Sequence, residues 1–247
     1  MRFHTTFVGV LMAGLILSGT TGWAVQPQNS PTDDGIRTQI DHWLAERSIS
    51  GVIVTVSRGD VTVDGTVASA WARNQACEQA RKVNGVTRVN CSVTVRRGAS
   101  DVMIGFEVDG RIRDYAFYTI YDNVEVTVKN GRVTLIGEVM ADARARAIGD
   151  IAARVPGVVE VNNLLRTIVV SPRDDDIRYE IAGLIYSDPM FGYDRVPGPI
   201  HIVVENRRVK LTGTVSSEFE RRIAEMLASG VSGVVTVENR LRCLIDE

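Results

Sequence analysis

Apolar and polar residues alternate in short runs along most of this chain, and the alternation recurs three times in nearly the same wording. In residues 54–67, 126–139 and 202–215, apolar positions alternate with polar ones on two arms, the period of a strand with one buried face. The arms meet at Arg58-Gly59, Asn130-Gly131 and Asn206-Arg207, where a two-residue hairpin loop favours Gly or Asn at positive φ. After each hairpin the period turns helical, over about residues 69–83, 141–155 and 217–231. Ile148, Ala152 and Val155, like Ala224, Ala228 and Val231, recur at i, i+4 and i+7 and form one apolar face. Ser217 with Glu220 three positions on has the capping-box pattern of a helix start, and Gly157 and Gly233 stand where helix stops are expected.

A further helical pattern precedes each hairpin: Ile36, Ile40, Trp43 and Leu44; Ile104, Val108 and Ile112; Ile177, Ile181, Leu184 and Ile185. A second phrase follows each post-hairpin helix, in residues 84–93, 156–165 and 232–241, and its Gly85, Gly157 or Gly233 always falls 20 residues after Gly65, Gly137 or Gly213. Fixed register of this kind marks an internal repeat. The expected fold is α+β: three tandem α-β-β-α-β modules, each a small three-stranded sheet with two helices on one face, over residues 34–98, 101–170 and 175–245. A module of about 65 residues hides only about 60 % of its unfolded surface and is marginal alone, so docking between copies is expected. Gly65, Gly137 and Gly213 interrupt a strand, where glycine is unfavourable; the expected reason is steric, either close approach of a helix to the sheet or a bulge.

The N-terminus has a different texture. Arg2 precedes an apolar run from Phe7 to Leu17 and a small, polar stretch ending in Gly22-Trp23-Ala24, the three regions of a secretory signal. The run is short for a bilayer span, so residues 1–24 are read as a signal peptide cleaved after about Ala24, and residues 25–33 as a linker. A lipoprotein signal would place a cysteine directly after the run, whereas the first is Cys77. The formal net charge of -2 becomes one unit more negative once Arg2 is removed. Only the first module is mildly basic, which makes nucleic acid a poor partner.

Three cysteines in an exported chain allow one bridge and one remaining thiol. Cys77, on a helix, and Cys91, on the following strand, are placed where they could meet, leaving Cys243. The three also suit half-buried apolar positions. His4, His42 and His201 stand at no ligand spacing from one another or from a cysteine, so no metal or other cofactor is expected, and no nucleophile elbow, phosphate loop or carboxylate pair occurs in a convincing context. The acidic run Asp174-Asp175-Asp176 reads as a solvated linker opening the next helix.

Two stretches break the repeat. One carries Tyr115, Phe117 and Tyr118, rings suited either to a bilayer interface or to packing between copies. The other, a proline-rich loop over residues 188–199, carries Met190, Phe191 and Tyr193, which either reach lipid or a partner or fold over the core edge.

The strand glycine and the phrase Gly-Val-x-x-Val-x-Asn resemble the BON domain family. The phrase reads Gly157, Val158, Val161, Asn163 in the second copy and Gly233, Val234, Val237, Asn239 in the third. The first copy, with Gly85, Val86 and Val89, has Cys91 in place of the asparagine, which supports a bridge to Cys77. The resemblance covers about residues 34–95, 101–168 and 175–244. It implies an α-β-β-α-β fold, residence in the periplasm or envelope, and association with phospholipid contact, outer-membrane integrity, osmotic stress and chaperoning. No catalytic residue, cofactor or small-molecule substrate comes with it. The expected function is therefore that of a non-enzymatic periplasmic protein binding phospholipid surfaces or envelope proteins, the alternative being a structural component of an envelope or secretion assembly.

Overall fold

A computed structural model describes residues 31–169, 171–191 and 199–244. The expected signal peptide, residues 25–30 of the linker, and Tyr193 lie outside the described residues. The first module runs α1 (Asp33–Glu46), β1 (Val52–Ser57), β2 (Asp60–Val67), α2 (Ala70–Lys82), β3 (Arg88–Val95). The second runs α3 (Asp101–Arg113), β4 (Asn123–Lys129), β5 (Arg132–Val139), α4 (Asp142–Ala153), β6 (Glu160–Thr167). The third runs α5 (Pro172–Ser187), a 3-10 turn (Pro189–Phe191), β7 (His201–Glu205), β8 (Arg208–Thr212), β9 (Thr214–Val215), α6 (Glu218–Ser229), β10 (Thr236–Asn239), β11 (Arg242–Cys243). The fold is α+β, a repeated module with a small mixed sheet. In each sheet the hairpin strands pair antiparallel and the third strand joins the second in parallel, giving the orders β1-β2-β3, β4-β5-β6 and β7-β8-β10; β9 and β11 add a short pair to the third. A parallel partner requires a helical crossover, which α2, α4 and α6 supply.

Register puts like residues in one row: Val63 opposite Val54 and Cys91, Leu135 opposite Val126 and Asn163, Leu211 opposite Ile202 and Asn239. Those rows face the helices. In the first module Ile36, Ile40 and Leu44 of α1 and Ala76 and Ala80 of α2 close over Val54, Val61 and Val63. Alanines on α2 bring that helix near the sheet, while the opposite sheet face keeps polar residues such as Thr55, Thr62 and Asn90. The modules keep separate cores, except that Ala70 at the start of α2 is buried in the second and Ile120 and Tyr121 of the second pack against the third.

Each hairpin turn is held by the module's first helix. The carboxylate of Asp33 accepts from the Arg58 and Gly59 amides at 2.6 and 2.8 Å, Asp101 from Asn130 and Gly131 at 2.7 and 2.8 Å, and Asp174 from Asn206 and Arg207 at 3.1 and 2.7 Å. All six turn residues have positive φ, and the two amides such a turn leaves pointing outward need an acceptor. Asp174 is therefore no solvated linker residue: it is buried in the first turn of α5.

Two expectations about glycine change. Gly65, Gly137 and Gly213 have φ of +135, +135 and +119°. A Cβ there would lie 2.1 Å from the Gly51 carbonyl oxygen, 2.1 Å from that of Asn123 and 2.9 Å from that of Pro199. The close neighbour is the chain entering the hairpin's first strand, not a helix. Gly157 and Gly233 do not end helices either: α4 and α6 close on Arg154 and Gly230, and the two glycines, at φ +88 and +95°, turn the chain toward the third strand.

One helix-to-strand junction is fastened in every module. Asn163 donates its amide to the Ala145 carbonyl at 2.8 Å, lying against Gly149 so closely that a Cβ there would sit 2.7 Å from its nitrogen. Asn239 donates to the Arg221 carbonyl and to Glu225, both at 2.9 Å. Cys77, Gly149 and Glu225 all stand twelve residues after their module's strand glycine. In the first module a disulfide joins Cys77 to Cys91 across this junction, with Cα atoms 5.8 Å apart, and Cys243 is the remaining thiol.

Candidate functional site: an outward apolar helix face

Helix α3 carries two apolar stripes. Ile104, Val108 and Ile112 point into the second core, while Val102, Met103 and Phe106, on the opposite side, are 66, 61 and 68 % exposed. Ser100 caps the helix by accepting from the Met103 amide, and Asp101 ties its first turn to the Asn130-Gly131 hairpin. The helix lies flat against β4: a Cβ on Gly105 would sit 3.7 Å from Val128. On the other face of the sheet, turned away from α3, Arg97, Lys129 and Arg132 line an open cleft with Thr127 and Thr134. Arg132 lies 3.4 Å from Glu160, an exposed pair of small worth in water. The places of Val102, Met103 and Phe106 are held by Asp34, Gly35 and Thr38 in α1 and by Asp175, Asp176 and Tyr179 in α5, counting from the clamping aspartates. Among the first helices of the modules, the apolar outer face thus belongs to the second copy. Its signal was in the sequence, as a second set of apolar residues out of phase with Ile104, Val108 and Ile112; a helix apolar all round is ordinarily buried.

The aromatic stretch after α3 divides. Tyr118 lies at the boundary of copies two and three, its ring 5.3 Å from that of His201. Burial, reinforced by Asp122, pushes its phenol well above the usual range. Tyr121 meets Tyr179 edge-on at 5.7 Å with the Arg178 guanidinium 5.5 Å from its ring. Tyr115 is half-buried against the second core and packs edge-on to Phe117 at 5.6 Å, while Phe117 is 64 % exposed. In the proline-rich loop, Phe191 is 2 % exposed and part of the third core, so it does not face lipid or a partner. The 3-10 turn explains this: the Phe191 amide donates to the Asp188 carbonyl and that of Met190 to the Asp188 carboxylate, which swings the Phe191 ring inward. Met190 is half-buried against the same core.

Two unlike junctions join the copies. Between one and two, the Ala70 amide donates to the Val158 carbonyl and the Gly157 amide to that of Ala68, both at 2.8 Å, and Arg154 stacks 3.8 Å over Trp71. Between two and three, the outer sheet faces meet through Lys210 and Glu138 at 2.6 Å, Arg166 and Glu205 at 2.8 Å, and the Thr212 hydroxyl on Asn123 at 3.0 Å. Burial alone would raise the Glu138 carboxyl, but hydrogen bonds from Lys210 and Asn123 outweigh it and hold it below its ordinary value. Among the described residues no His, Cys, Asp or Glu cluster has the make-up of a metal site, and no helix is long and apolar enough to cross a membrane.

Comparison with protein families matches the BON domain over residues 32–97, 116–168 and 174–244. Comparison with curated proteins finds no match. Among solved structures, the chain is similar to the C-terminal domain of CdsD, the structural protein of the Type III secretion system of Chlamydia trachomatis, at 14 % identity and a TM-score of 0.26, over 84 % of this chain and 96 % of that one. A second structure of CdsD is similar at 15 % identity and a TM-score of 0.25, over 85 and 92 %. At such TM-scores the likeness bears on neither function nor partner.

Proposed function

The chain belongs to the BON domain family, and from that premise we propose that it is a non-enzymatic periplasmic protein that binds phospholipid membrane surfaces through the outer face of its second copy, with envelope proteins as further partners. The observation that carries this reading is the exposure of Val102, Met103 and Phe106 on one side of α3. A helix lying in the membrane interface sends apolar side chains of this kind into the headgroup boundary. Removing such a side chain from water contributes about 1.5–3 kcal/mol when burial is complete. Residues 1–24 act as the export signal, and the N-terminal sequence of the protein recovered from the envelope tests cleavage after about Ala24. Neither nucleic acid nor a small-molecule substrate has a part in this reading.

Co-sedimentation with vesicles tests it. The full chain is expected to pellet with vesicles rich in anionic phospholipid, less with zwitterionic ones, and the Phe106→Asp, Met103→Asp double variant to stay in the supernatant while keeping its circular dichroism. A chain that remains soluble at every vesicle composition would refute the membrane reading.

A further inference from the structure

His201 opens β7 at the junction of copies two and three. Its ring packs on Tyr118, and its Nδ1 is closed off from solvent with no hydrogen-bond partner. Around it the two copies are pinned: the Ile202 amide donates to the Ile120 carbonyl at 2.6 Å, and Thr212, paired with His201 across the hairpin, bonds Asn123 of copy two. We propose that His201 makes this junction acid-sensitive, so that protonation of its imidazole releases the third copy from the second.

A protonated imidazole donates from both nitrogens. In the docked arrangement the added N–H at Nδ1 would sit where that nitrogen has no partner, and the ring would carry charge in a half-buried contact between the copies. The charged groups facing it offer little relief. Asp122, from the segment before β4, is fully buried but already accepts from Arg144 at 2.6 Å and from Thr119. Asp109 of α3 is held by Arg113 at 2.7 Å. Tyr118 is neutral, the Lys210 and Glu138 pair one rung away is mutually satisfied, and α5 presents Tyr186, whose hydroxyl donates to the Ile200 carbonyl. Burial accordingly lowers the His201 pKa, although backbone acceptors and the two aspartates oppose it. The sign follows. The docked state binds fewer protons than the open one, where an exposed histidine titrates near 6.5, so acid below that value favours opening. Glu138, held below its usual range, keeps its pair with Lys210 until lower pH. The inference stands whether or not α3 meets a membrane.

The test uses the full chain between pH 7.5 and 5. Small-angle scattering reads the separation of the copies, and histidine ring NMR, assigned with His201→Gln, reads protonation. The radius of gyration is expected to rise as pH falls, with the midpoint of His201 titration, while circular dichroism is retained and His201→Gln stays compact at pH 5. A constant radius, a rise whose midpoint does not follow His201, or equal expansion of His201→Gln overturns the proposal. Should the variant fail to fold, coincidence of the two midpoints in the unaltered chain decides.

Discussion

The side-chain amide of Asn239 reaches two acceptors on α6, and that of Asn163 one on α4; Cys91 spans the same gap with sulfur. A lost neutral hydrogen bond costs about 1 kcal/mol, so Asn239→Ala is expected to destabilise the third module by about that much in urea unfolding. Closing a loop of about 15 residues stabilises by about 3 kcal/mol in the chain-entropy view. Cys77→Ser with Cys91→Ser should therefore weaken the first module more than Asn239→Ala weakens the third, and amide exchange should show the loss in α2 and β3 while β6 and β10 keep their protection. Asp174 gives a pH signature. Burial raises its carboxyl, but the Arg207 amide, the Ser171 hydroxyl and the Asn206 amide outweigh this and leave it lowered. A lowered carboxyl contributes stability above the usual range, near 3.9, that is lost as pH falls through its folded value. Asp174→Asn should thus lower stability at pH 7 and flatten the acid limb of the third module's melting curve. The phrase ending in asparagine was legible as a repeat, but its hydrogen bond was not, because the acceptor is a helix carbonyl that no sequence pattern names. The clamping aspartates were hidden for the same reason: Asp33 and Asp101 carried no sequence signal for a turn acceptor, and Asp174 read as part of an acidic run.

Helices and strands were more legible than their ends. Alternation located all three hairpins because each sheet has one buried face, and the 3.6-residue period located the six helices because each buries a single stripe against it. The start of α6 fell where the capping pattern put it, with Ser217 as the cap. The Glu220 carboxylate accepts from the Ser216 amide, one residue before the Ser217 cap, and its own amide donates to Ser217. The outer stripe of α3 was passed over because a second apolar phase on one helix has no partner within its own module. The junctions were unreadable, since Trp71 meets Arg154 and Tyr118 meets His201 only after whole modules are placed. At this scale, Trp71→Ala should loosen copy one from copy two while leaving each module folded, read as faster proteolysis between residues 96 and 100 with little change in circular dichroism. Retained resistance would show that the Ala70 and Gly157 amides hold the junction without the ring.

Taken whole, the described chain is three small sheets that share no strand pairing with one another, each with its own core, joined by two unlike contacts. Such an object acts through its outer surfaces, and in the second copy, gripped from both sides, the first helix presents an apolar face outward, while α6 of the third exposes Phe219 and Met226. That difference among near-identical modules was within reach of the sequence, since Phe106 stands where α1 has Thr38, although only the placed helices show that nothing described in the chain covers it. The most direct measurement is depth. With Cys243 replaced by Ser, an environment-sensitive fluorophore is placed on single cysteines at position 106 and, as a reference, at position 38, and anionic vesicles are added. The account predicts a blue shift and loss of quenching by aqueous iodide at position 106 and neither at position 38. A fluorophore at 106 that stays in water while the chain binds the vesicles would contradict it.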